Sequence, residues 1–232
     1  MKKAIVTGGN KGIGLEITRQ LIDKGYFVYV VARDFKDFPF ATSSACECVA
    51  FDLEKISELP ELVNKIGAVD VLMNNAGIMH PYTFDNYPED AKQRMLKVNL
   101  EAPVELTRLV TKGMIEKGGG RVVNNASIAG EIGHPDIWYG ISKAGLINAT
   151  KSFAKALGSK GIVVNCVAAS AATTDMLNTI PEARQKEFLK SVYLGRFVAA
   201  EEVAKTMVWL GTESPEYING ICIDINNGAF PR

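Results

Sequence analysis

The chain has 232 residues, of which 47% are hydrophobic, and its 26 basic side chains balance 26 acidic ones. This balance leaves no basic field that would attract nucleic acid or an anionic membrane surface, so neither partner is expected. No apolar run is long enough to cross a bilayer and the N-terminus has no signal-type segment, so we expect one cytoplasmic domain over residues 1–232.

Short apolar runs rich in Val and Ile alternate with longer helical patterns along nearly the whole chain. Such alternation is typical of repeated βαβ units, whose strands form a parallel α/β sheet covered on both faces. Right-handed crossovers would place helices on both faces of this sheet. Seven strands are predicted, at Ala4–Thr7, Phe27–Ala32, Cys48–Phe51, Val69–Met73, Arg121–Asn125, Val163–Val167 and Ile221–Ile225.

Five helices are predicted between these strands, at Gly14–Lys24, Ile56–Ile66, Glu89–Lys117, Tyr139–Gly158 and Glu201–Gly211. A further segment, about residues 174–195, mixes apolar and charged side chains after a strand end, and we expect it to form an amphipathic flap. No internal repeat and no linker rich in Pro, Gly and Ser interrupts the pattern, which indicates a single domain.

A glycine-rich turn follows the first predicted strand directly. Gly8, Gly12 and Gly14 lie between that strand and the first helix. Glycines let the backbone approach a pyrophosphate closely, and a helix start offers unpaired N–H donors and a positive dipole end. The position predicts a phosphate-binding turn, although its spacing differs from the commonest dinucleotide fingerprint, Gly-x-Gly-x-x-Gly.

Tyr139 and Lys143 are four residues apart on a predicted helix, so they share one face. An adjacent ammonium favours phenolate and lowers the pKa of a phenol from its free value of about 10. A general acid for a carbonyl oxygen needs such a shift. The spacing alone also occurs on solvated helix faces, but together with the glycine turn it predicts hydride transfer.

Several motifs, taken in order, resemble those of the short-chain dehydrogenase/reductase family. They are Thr7-Gly8-x-x-x-Gly12-Ile13-Gly14, Asp52-Leu53, Asn74-Asn75-Ala76-Gly77, Asn99, Ser127 and Tyr139-x-x-x-Lys143. The match spans essentially the whole chain. The resemblance implies one Rossmann-type dinucleotide-binding domain and an NAD(P)(H)-dependent oxidoreductase acting on carbonyls or secondary alcohols, similar to carbonyl reductase and 3-oxoacyl reductase members.

The resemblance also implies roles for individual residues. Tyr139 is then the general acid in reduction and the base in oxidation, while Lys143 lowers its pKa and hydrogen-bonds the nicotinamide ribose. Ser127 hydrogen-bonds the substrate carbonyl, and Asn99 anchors a water that links the lysine to solvent. The implied cofactor-binding residues are Gly8, Asn10, Lys11, Gly12, Ile13, Gly14, Arg33, Asp52, Leu53, Asn75, Ala76, Gly77, Tyr139, Lys143, Ala172 and Thr174.

The cofactor preference depends on the end of the second strand. A carboxylate there suits NAD, whereas the 2'-phosphate of NADP needs cations. Arg33 follows the strand end and Lys11 could add a second cation, so NADP(H) is favoured over NAD(H). Asp34 keeps NAD(H) open, because a one-residue register error would place its carboxylate on the ribose. Asp52 could instead cap a helix.

Two departures from the family pattern stand near the predicted catalytic group. Ser127 is twelve residues before Tyr139, one fewer than usual, which indicates a deletion in the intervening loop. Ala169 and Ser170 occupy the positions of a usual Pro-Gly pair. Because proline restrains the backbone and glycine admits close approach, we expect altered geometry beside the nicotinamide.

The predicted substrate walls are mostly apolar, which favours a small or medium hydrophobic carbonyl or alcohol. They include Met79, Ile132, Trp138, Met176 and Leu177. His134 could orient a polar substituent, although a lone loop histidine is more often exposed. Ketones, aldehydes, ring substrates and 3-oxoacyl thioesters stay open. The resemblance implies a homo-oligomer, a tetramer or dimer built partly from the third and fourth predicted helices.

Two alternative functions and one negative prediction complete the interpretation. The alternatives are an NADH-linked dehydrogenase or epimerase of the same family, and a non-catalytic dinucleotide sensor. The cysteines are Cys46, Cys48, Cys166 and Cys222, and only the first two are close in sequence. With two histidines in the chain they make a poor zinc set, so we predict reduced thiols, no metal and no disulfide.

Overall fold

The computed structural model describes residues 1–231, and within them seven strands form one sheet in the order β3-β2-β1-β4-β5-β6-β7. All neighbouring strands pair in parallel, which confirms the predicted α/β doubly wound sheet. The order reverses between β1 and β4, the point where such sheets bind ligands. The strands are β1 Lys3–Thr7, β2 Phe27–Ala32, β3 Cys46–Ala50, β4 Val71–Asn74, β5 Gly120–Asn125, β6 Ile162–Ala169 and β7 Cys222–Ile225.

The helices cover both faces of the sheet, as predicted. They are α1 Gly12–Asp23, α2 Leu59–Ile66, α3 Glu89–Leu96, α4 Ala102–Glu116, α5 Ile137–Leu157, α6 Glu182–Leu189 and α7 Ala200–Thr212. Successive strand residues point to opposite faces, so Val28 of β2 belongs to the core cluster that contains Leu21 of α1, while Tyr29 belongs to the cluster that contains Leu106 of α4. None of the helices within residues 1–231 is both long and apolar enough to cross a membrane.

The predicted helix Glu89–Lys117 is not one regular α-helix. The structure divides it into α3, a π-helical turn over Lys97–Glu101 and α4. Pro103 explains the division, because proline has no N–H for the carbonyl of residue 99 and its ring would crowd that carbonyl. A π-turn widens the helix at this point, and Asn99 lies within it.

Most predicted strands are displaced by only one or two residues. Two-residue differences occur at the starts of β3 and β4 and at the end of β6. β6 continues to Ala169 instead of ending at Val167, because it is hydrogen-bonded to both β5 and β7. The flap contains a short helical turn, Asp175–Thr179, followed by α6. The carboxyl ends of β1, β4, β5 and β6 thereby meet beneath the flap.

Candidate active site

A cavity of about 980 Å³ runs along the carboxyl edge of the sheet. It begins at the loop after β2, crosses the β1–β4 switch point and ends under the flap. Nearly all residues predicted to bind cofactor or substrate line it: Gly8, Asn10, Lys11, Gly12, Ile13, Arg33, Asp52, Leu53, Asn75, Ala76, Gly77, Ser127, Tyr139, Lys143, Ala172 and Thr174. Gly14 and Asn99 lie behind this surface and support it.

The glycine turn is shaped so that only backbone can face the cavity. Gly8 and Gly12 have φ angles of +63° and +53°, a conformation that side chains rarely adopt. A Cβ on Gly14 would lie 1.9 Å from the Gly8 carbonyl oxygen, so no side chain fits there. The first turn of α1 carries no acidic residue. These features suit a pyrophosphate at the helix N-terminus.

A side chain from the neighbouring strand holds this turn in place. Asn75 Nδ2 donates to the carbonyl oxygens of Thr7 and Gly8 at 3.1 and 3.3 Å. The Thr7 hydroxyl in return accepts the backbone N–H groups of Asn75 and Ala76. Asn75 and Ala76 therefore brace the loop and line the cavity at once.

The loop after β2 places two cations at the far end of the cavity. Arg33 is exposed there, and Lys36, which the sequence argument did not select, lines the same wall. The Asp34 carboxylate accepts the backbone N–H of Lys36 at 3.4 Å, while its carbonyl accepts Asn10 Nδ2 at 3.0 Å. Lys36 could have been selected because it shares the short loop that carries Arg33.

Two other predicted cofactor residues have local partners. Lys11 forms an exposed ion pair with Asp175 of the flap, with Nζ and Oδ2 3.0 Å apart. Such a pair adds little stability, so Lys11 can exchange Asp175 for a phosphate at small cost. Asp52 Oδ1 accepts the N–H of Glu54 at 3.1 Å within the loop after β3. It does not cap a helix, because the next helical turn begins at Ile56 with Lys55 in the N-cap position. Asp52 nevertheless lines the cavity.

Ser127, Tyr139 and Lys143 converge at the opposite end. The Ser127 side chain hydrogen-bonds the Tyr139 phenol, and Lys143 Nζ lies 5.6 Å from the centroid of the Tyr139 ring. Lys143 Nζ also donates to the carbonyl of Asn125 at the end of β5, at 2.7 Å. All three functional side chains are buried, and the shortened loop before Tyr139 leaves the predicted serine in place.

The pKa of the buried phenol differs from the expectation. Burial raises the pKa of Tyr139, the hydrogen bond from Ser127 lowers it by less, and the charge of Asp136 raises it again. The net shift is therefore upward, opposite to the expectation, while the separate effect of Lys143 on this pKa stays a prediction. Burial also lowers the pKa of Lys143 to about 8, so a smaller fraction of Lys143 is protonated at neutral to alkaline pH.

Asn99 braces the loop that follows β4. Its Oδ1 accepts the Ile78 N–H and its Nδ2 donates to the Ile78 carbonyl, both at 2.8 Å. Nδ2 also lies 3.3 Å from Ser142 Oγ, which donates to the Tyr139 carbonyl at 2.8 Å. The π-turn therefore links the cavity floor to the helix that carries Tyr139.

Asp136 is a supporting residue that the sequence argument missed. It is 3% exposed and caps α5, with Oδ1 accepting the Tyr139 N–H at 3.0 Å. Oδ2 accepts the N–H of His80 at 3.0 Å and the hydroxyl of Tyr87 at 3.4 Å. An Asp three residues before Tyr139 at a helix start is an N-cap signal and could have identified it.

The substrate end is mostly apolar, with two differences from expectation. Met79, Ile132, Met176 and Leu177 line the cavity. Trp138 does not; the sequence prediction was wrong there, because the indole packs behind Tyr139 under Lys92. His134 is not an exposed loop residue, since it is half-buried, lines the cavity and contacts Arg184 of α6.

Ala169 and Ser170 continue the sheet beside the predicted nicotinamide position. Ala169 pairs with Ile225, and the Ser170 N–H donates to the Ile225 carbonyl at 3.0 Å. Ser127 Oγ lies 3.4 Å from the Ala169 carbonyl oxygen. Ala169 and Ser170 both line the cavity.

The cysteines do not contribute to this cavity. Cys166 and Cys222 are register partners on β6 and β7. Ligand atoms of Cys222, Glu131 and Asp224 lie within 4.8 Å of one another, an arrangement invisible in the sequence because these residues are far apart in it. The absence of a metal and of a disulfide stays a prediction.

A glycine turn at a helix N-terminus is joined by one cavity to a buried Ser-Tyr-Lys group. With the relatives described next, this arrangement defines the class: an NAD(P)(H)-dependent oxidoreductase that transfers a hydride between nicotinamide and a carbonyl or secondary alcohol. The family described as short chain dehydrogenase matches residues 2–185. The chain belongs to the short-chain dehydrogenase/reductase family.

Individual relatives agree with this assignment over nearly full length. The chain is 32% identical to the 3-oxoacyl-(acyl-carrier-protein) reductase FabG of Staphylococcus epidermidis, with 99% of each chain covered. It is 30% identical to FabG of Haemophilus influenzae, with 99% of this chain and 98% of that one covered.

A solved structure shows the same fold. It is a protein of Beutenbergia cavernae described as an NAD(P)-dependent gluconate 5-dehydrogenase with NADP bound at low occupancy. The two share a TM-score of 0.92 and 25% sequence identity, over 98% of this chain and 96% of that one.

Proposed function

We propose that this protein is an NADPH-dependent carbonyl reductase in which Tyr139 protonates the carbonyl oxygen. One observation carries the proposal: Ser127, Tyr139 and Lys143 meet at one end of a cavity whose other end bears Arg33 and Lys36. A cavity with this charge distribution accommodates a 2'-phosphorylated dinucleotide and directs it towards a proton donor.

The cofactor preference is supported from two directions. Arg33 and Lys36 offer two cations, while the backbone N–H of Lys36 already occupies the Asp34 carboxylate. That bond engages one oxygen of the Asp34 carboxylate within its own loop. The Beutenbergia protein, which has the same fold, is described with NADP.

The bound nicotinamide supplies the hydride, and the protein supplies the proton. Ser127 and the Tyr139 phenol both donate to the substrate oxygen, which holds the carbonyl in place and stabilises charge that develops on it. Tyr139 then gives its proton to that oxygen. Lys143, with a pKa of about 8, is matched to return a proton to the phenolate near neutral pH.

Burial of the phenol suits the reductive direction. A raised pKa keeps Tyr139 protonated at neutral pH, as a proton donor must be. In oxidation the phenolate is needed, and the positive charge of oxidised nicotinamide would favour it. Without bound oxidised nicotinamide, the burial of Tyr139 therefore favours the reductive direction.

The proposal includes a small or medium carbonyl substrate with an apolar portion. Met79, Ile132, Met176 and Leu177 provide an apolar wall beside Tyr139. The FabG relatives are named for 3-oxoacyl chains and the structural relative for gluconate, so both a thioester and a sugar acid belong in a substrate panel. A cytoplasmic location and a homo-oligomer are part of the same proposal.

The test is titration with NADPH and NADH, followed by turnover on a carbonyl panel for the wild type and Tyr139→Phe. We expect tighter NADPH binding and a loss of kcat of about 100-fold or more in the variant, since proton transfer contributes that much. Tyr26→Phe is the matched control, because Tyr26 is buried outside the cavity.

Three other outcomes would contradict parts of the proposal. Tighter NADH binding would support the NADH-linked dehydrogenase. Binding without turnover of any carbonyl would support the sensor. Equal turnover by the wild type and Tyr139→Phe would remove Tyr139 as the proton donor.

A further inference from the structure

A guanidinium from the flap reaches the catalytic end of the cavity. Arg184 is on α6, is half-buried and lines the cavity. Its Nη2 lies 3.1 Å from Nε2 of His134. Arginine can only donate, so His134 Nε2 is the acceptor in this bond.

The Asp136 backbone holds the other side of the His134 ring. Nδ1 lies 3.1 Å from the Asp136 carbonyl oxygen and 3.2 Å from the Asp136 backbone nitrogen. Burial, together with the charge of Arg184, lowers the pKa of His134. The imidazole is therefore neutral at neutral pH. It orients the guanidinium through the bond to Nη2 and adds no charge to the site.

The remaining guanidinium donors have no carboxylate partner. Within residues 1–231, Arg184 forms no ion pair at 4.0 Å or less, although twelve other pairs of basic and acidic side chains do. Its helix neighbours Glu182 and Lys186 pair with each other. The nearby Asp136 carboxylate is already used by Tyr139, His80 and Tyr87.

The Arg184 guanidinium lies in a mostly apolar part of the cavity. The cavity walls near it are apolar, contributed by Ile132, Leu177 and Phe188. Burial lowers the pKa of Arg184, although guanidinium remains charged at any working pH. A half-buried cation without a counter-ion costs free energy that an anion would recover.

Arg184 is connected to the Tyr139 phenol ring through a single side chain, His134. The His134 and Tyr139 ring centroids are 5.2 Å apart, and Arg184 Nη2 contacts Nε2 of the same imidazole. An anion on Arg184 and a carbonyl on Tyr139 therefore belong to one compact molecule.

We propose that Arg184, oriented by His134, binds the carboxylate of a short oxo acid while Tyr139 and Ser127 hold its ketone. The inference rests on the proposed reductase function and narrows its substrate class. A guanidinium matches a carboxylate in charge and in bidentate geometry. A phosphate dianion would leave one negative charge uncompensated, because His134 is neutral.

The test compares oxo acids with their own esters. The panel is 3-oxobutanoate and 4-oxopentanoate, each beside its methyl ester, with NADPH. We expect the wild type to prefer the acids in kcat/KM, and Arg184→Gln to raise KM for the acids about 10- to 100-fold, as for loss of hydrogen bonds to a charged group. KM for the esters should change by less than about twofold.

Two further variants separate charge recognition from flap folding. Arg196→Gln removes an exposed arginine, just after the flap, that pairs with Glu202 outside the cavity, and it should leave the kinetics with both substrate types unchanged. His134→Gln retains a side-chain acceptor for Arg184 and should keep most of the acid preference, whereas His134→Leu should lose that preference.

The failures are distinguishable. Equal kcat/KM for acids and esters in the wild type would overturn the carboxylate site, and so would an equal rise in KM for both in Arg184→Gln. If ester turnover still depended on Tyr139, the reductase function would stand. No turnover of acid or ester, with NADPH bound, would instead contradict the reductase function on which the inference rests.

Discussion

Lys143 is a cationic side chain enclosed at the base of the cavity, 4% exposed and hydrogen-bonded to a backbone carbonyl. Enclosure lowers its pKa from 10.5 to about 8. The same burial that costs stability therefore places its proton equilibrium near the working pH. Function and stability oppose each other at this residue, as is common in active sites.

The pH dependence of stability should show this cost. Between pH 8 and 10.5 the unfolded chain binds the Lys143 proton and the folded chain has released it, so folding becomes more favourable as pH rises. The free energy of unfolding of the wild type, relative to Lys143→Met, should increase by up to about 3 kcal/mol between pH 7.5 and 10.5. Urea unfolding at a series of pH values measures it.

Lys155→Met is the matched control, because it removes an exposed ammonium from the same helix. The comparison is between the two variants across the series. A Lys143→Met difference that stays flat, or that falls as pH rises, would contradict the lowered pKa.

Arg33 should contribute to the preference for NADPH over NADH. Arg33→Ala should weaken NADPH binding by about tenfold, which corresponds to about 1.4 kcal/mol for a lost charge-assisted contact. NADH binding should change little, because NADH lacks the 2'-phosphate. Fluorescence titration measures both constants.

Lys36→Ala should act in the same direction as Arg33→Ala, and Arg108→Ala on α4, outside the cavity, should act on neither cofactor. Equal weakening of NADPH and NADH by Arg33→Ala would mean that Arg33 contacts a part common to both. Tighter NADH binding in the wild type would place the Asp34 carboxylate on the ribose.

At the scale of elements, α5 connects the proton donor to the substrate loop. Its N-cap, Asp136, accepts the Tyr139 N–H and also the N–H of His80 from the loop after β4. Its opposite side contacts Asn99 of the π-turn through Ser142. Three separate chain segments thus set the position of Tyr139.

Asp136→Ala should cost about 2–3 kcal/mol of unfolding free energy, from the lost cap and from buried N–H donors left without an acceptor. It should also lower kcat, because Tyr139 loses its anchor. Asp136→Asn retains one acceptor oxygen, so its stability loss should be smaller. Urea unfolding and steady-state kinetics measure both effects.

Asp90→Ala is the control, since Asp90 is exposed in the first turn of another helix, α3. If Asp136→Ala unfolds with the wild-type midpoint and retains the wild-type kcat, Asp136 does not position the helix.

The helix boundaries also show where sequence reasoning was incomplete. The hydrophobic pattern of Glu89–Lys117 indicates a helix correctly, but its internal π-turn arises from Pro103 and the carbonyl four residues earlier. Pro103 was visible in the sequence. The contacts that Asn99 makes inside this turn were not, because they depend on the neighbouring loop and on α5.

At the scale of the whole molecule, α4 and α5 lie side by side and α5 has apolar residues on its outer surface. Ile137 and Ile141 are 45% and 46% exposed. These are the helices from which a homo-oligomer was predicted. An exposed apolar face on a long helix is a reason to expect self-association.

Ile141→Glu should reduce self-association, because a charge would be buried in the contact. Sedimentation velocity at micromolar concentration should show a dimer or tetramer for the wild type and a shift to smaller species for the variant. Asn64→Glu on exposed α2 adds the same charge and should leave the mass unchanged. A monomeric wild type would contradict the oligomer, and an unchanged mass for Ile141→Glu would exclude this face.

The sequence by itself determined the sheet, its seven strands, the glycine turn and the Ser127, Tyr139 and Lys143 group. Local signals indicated the strands, the glycine turn and the Tyr139-Lys143 spacing, since these are short-range properties. Ser127 and the roles of the three residues came from the family resemblance. Only the tertiary structure decided the direction of the Tyr139 pKa shift, the support from Asp136, and the contact of Arg184 with His134, fifty residues apart. These depend on burial and on which distant segments meet, and no local pattern encodes either.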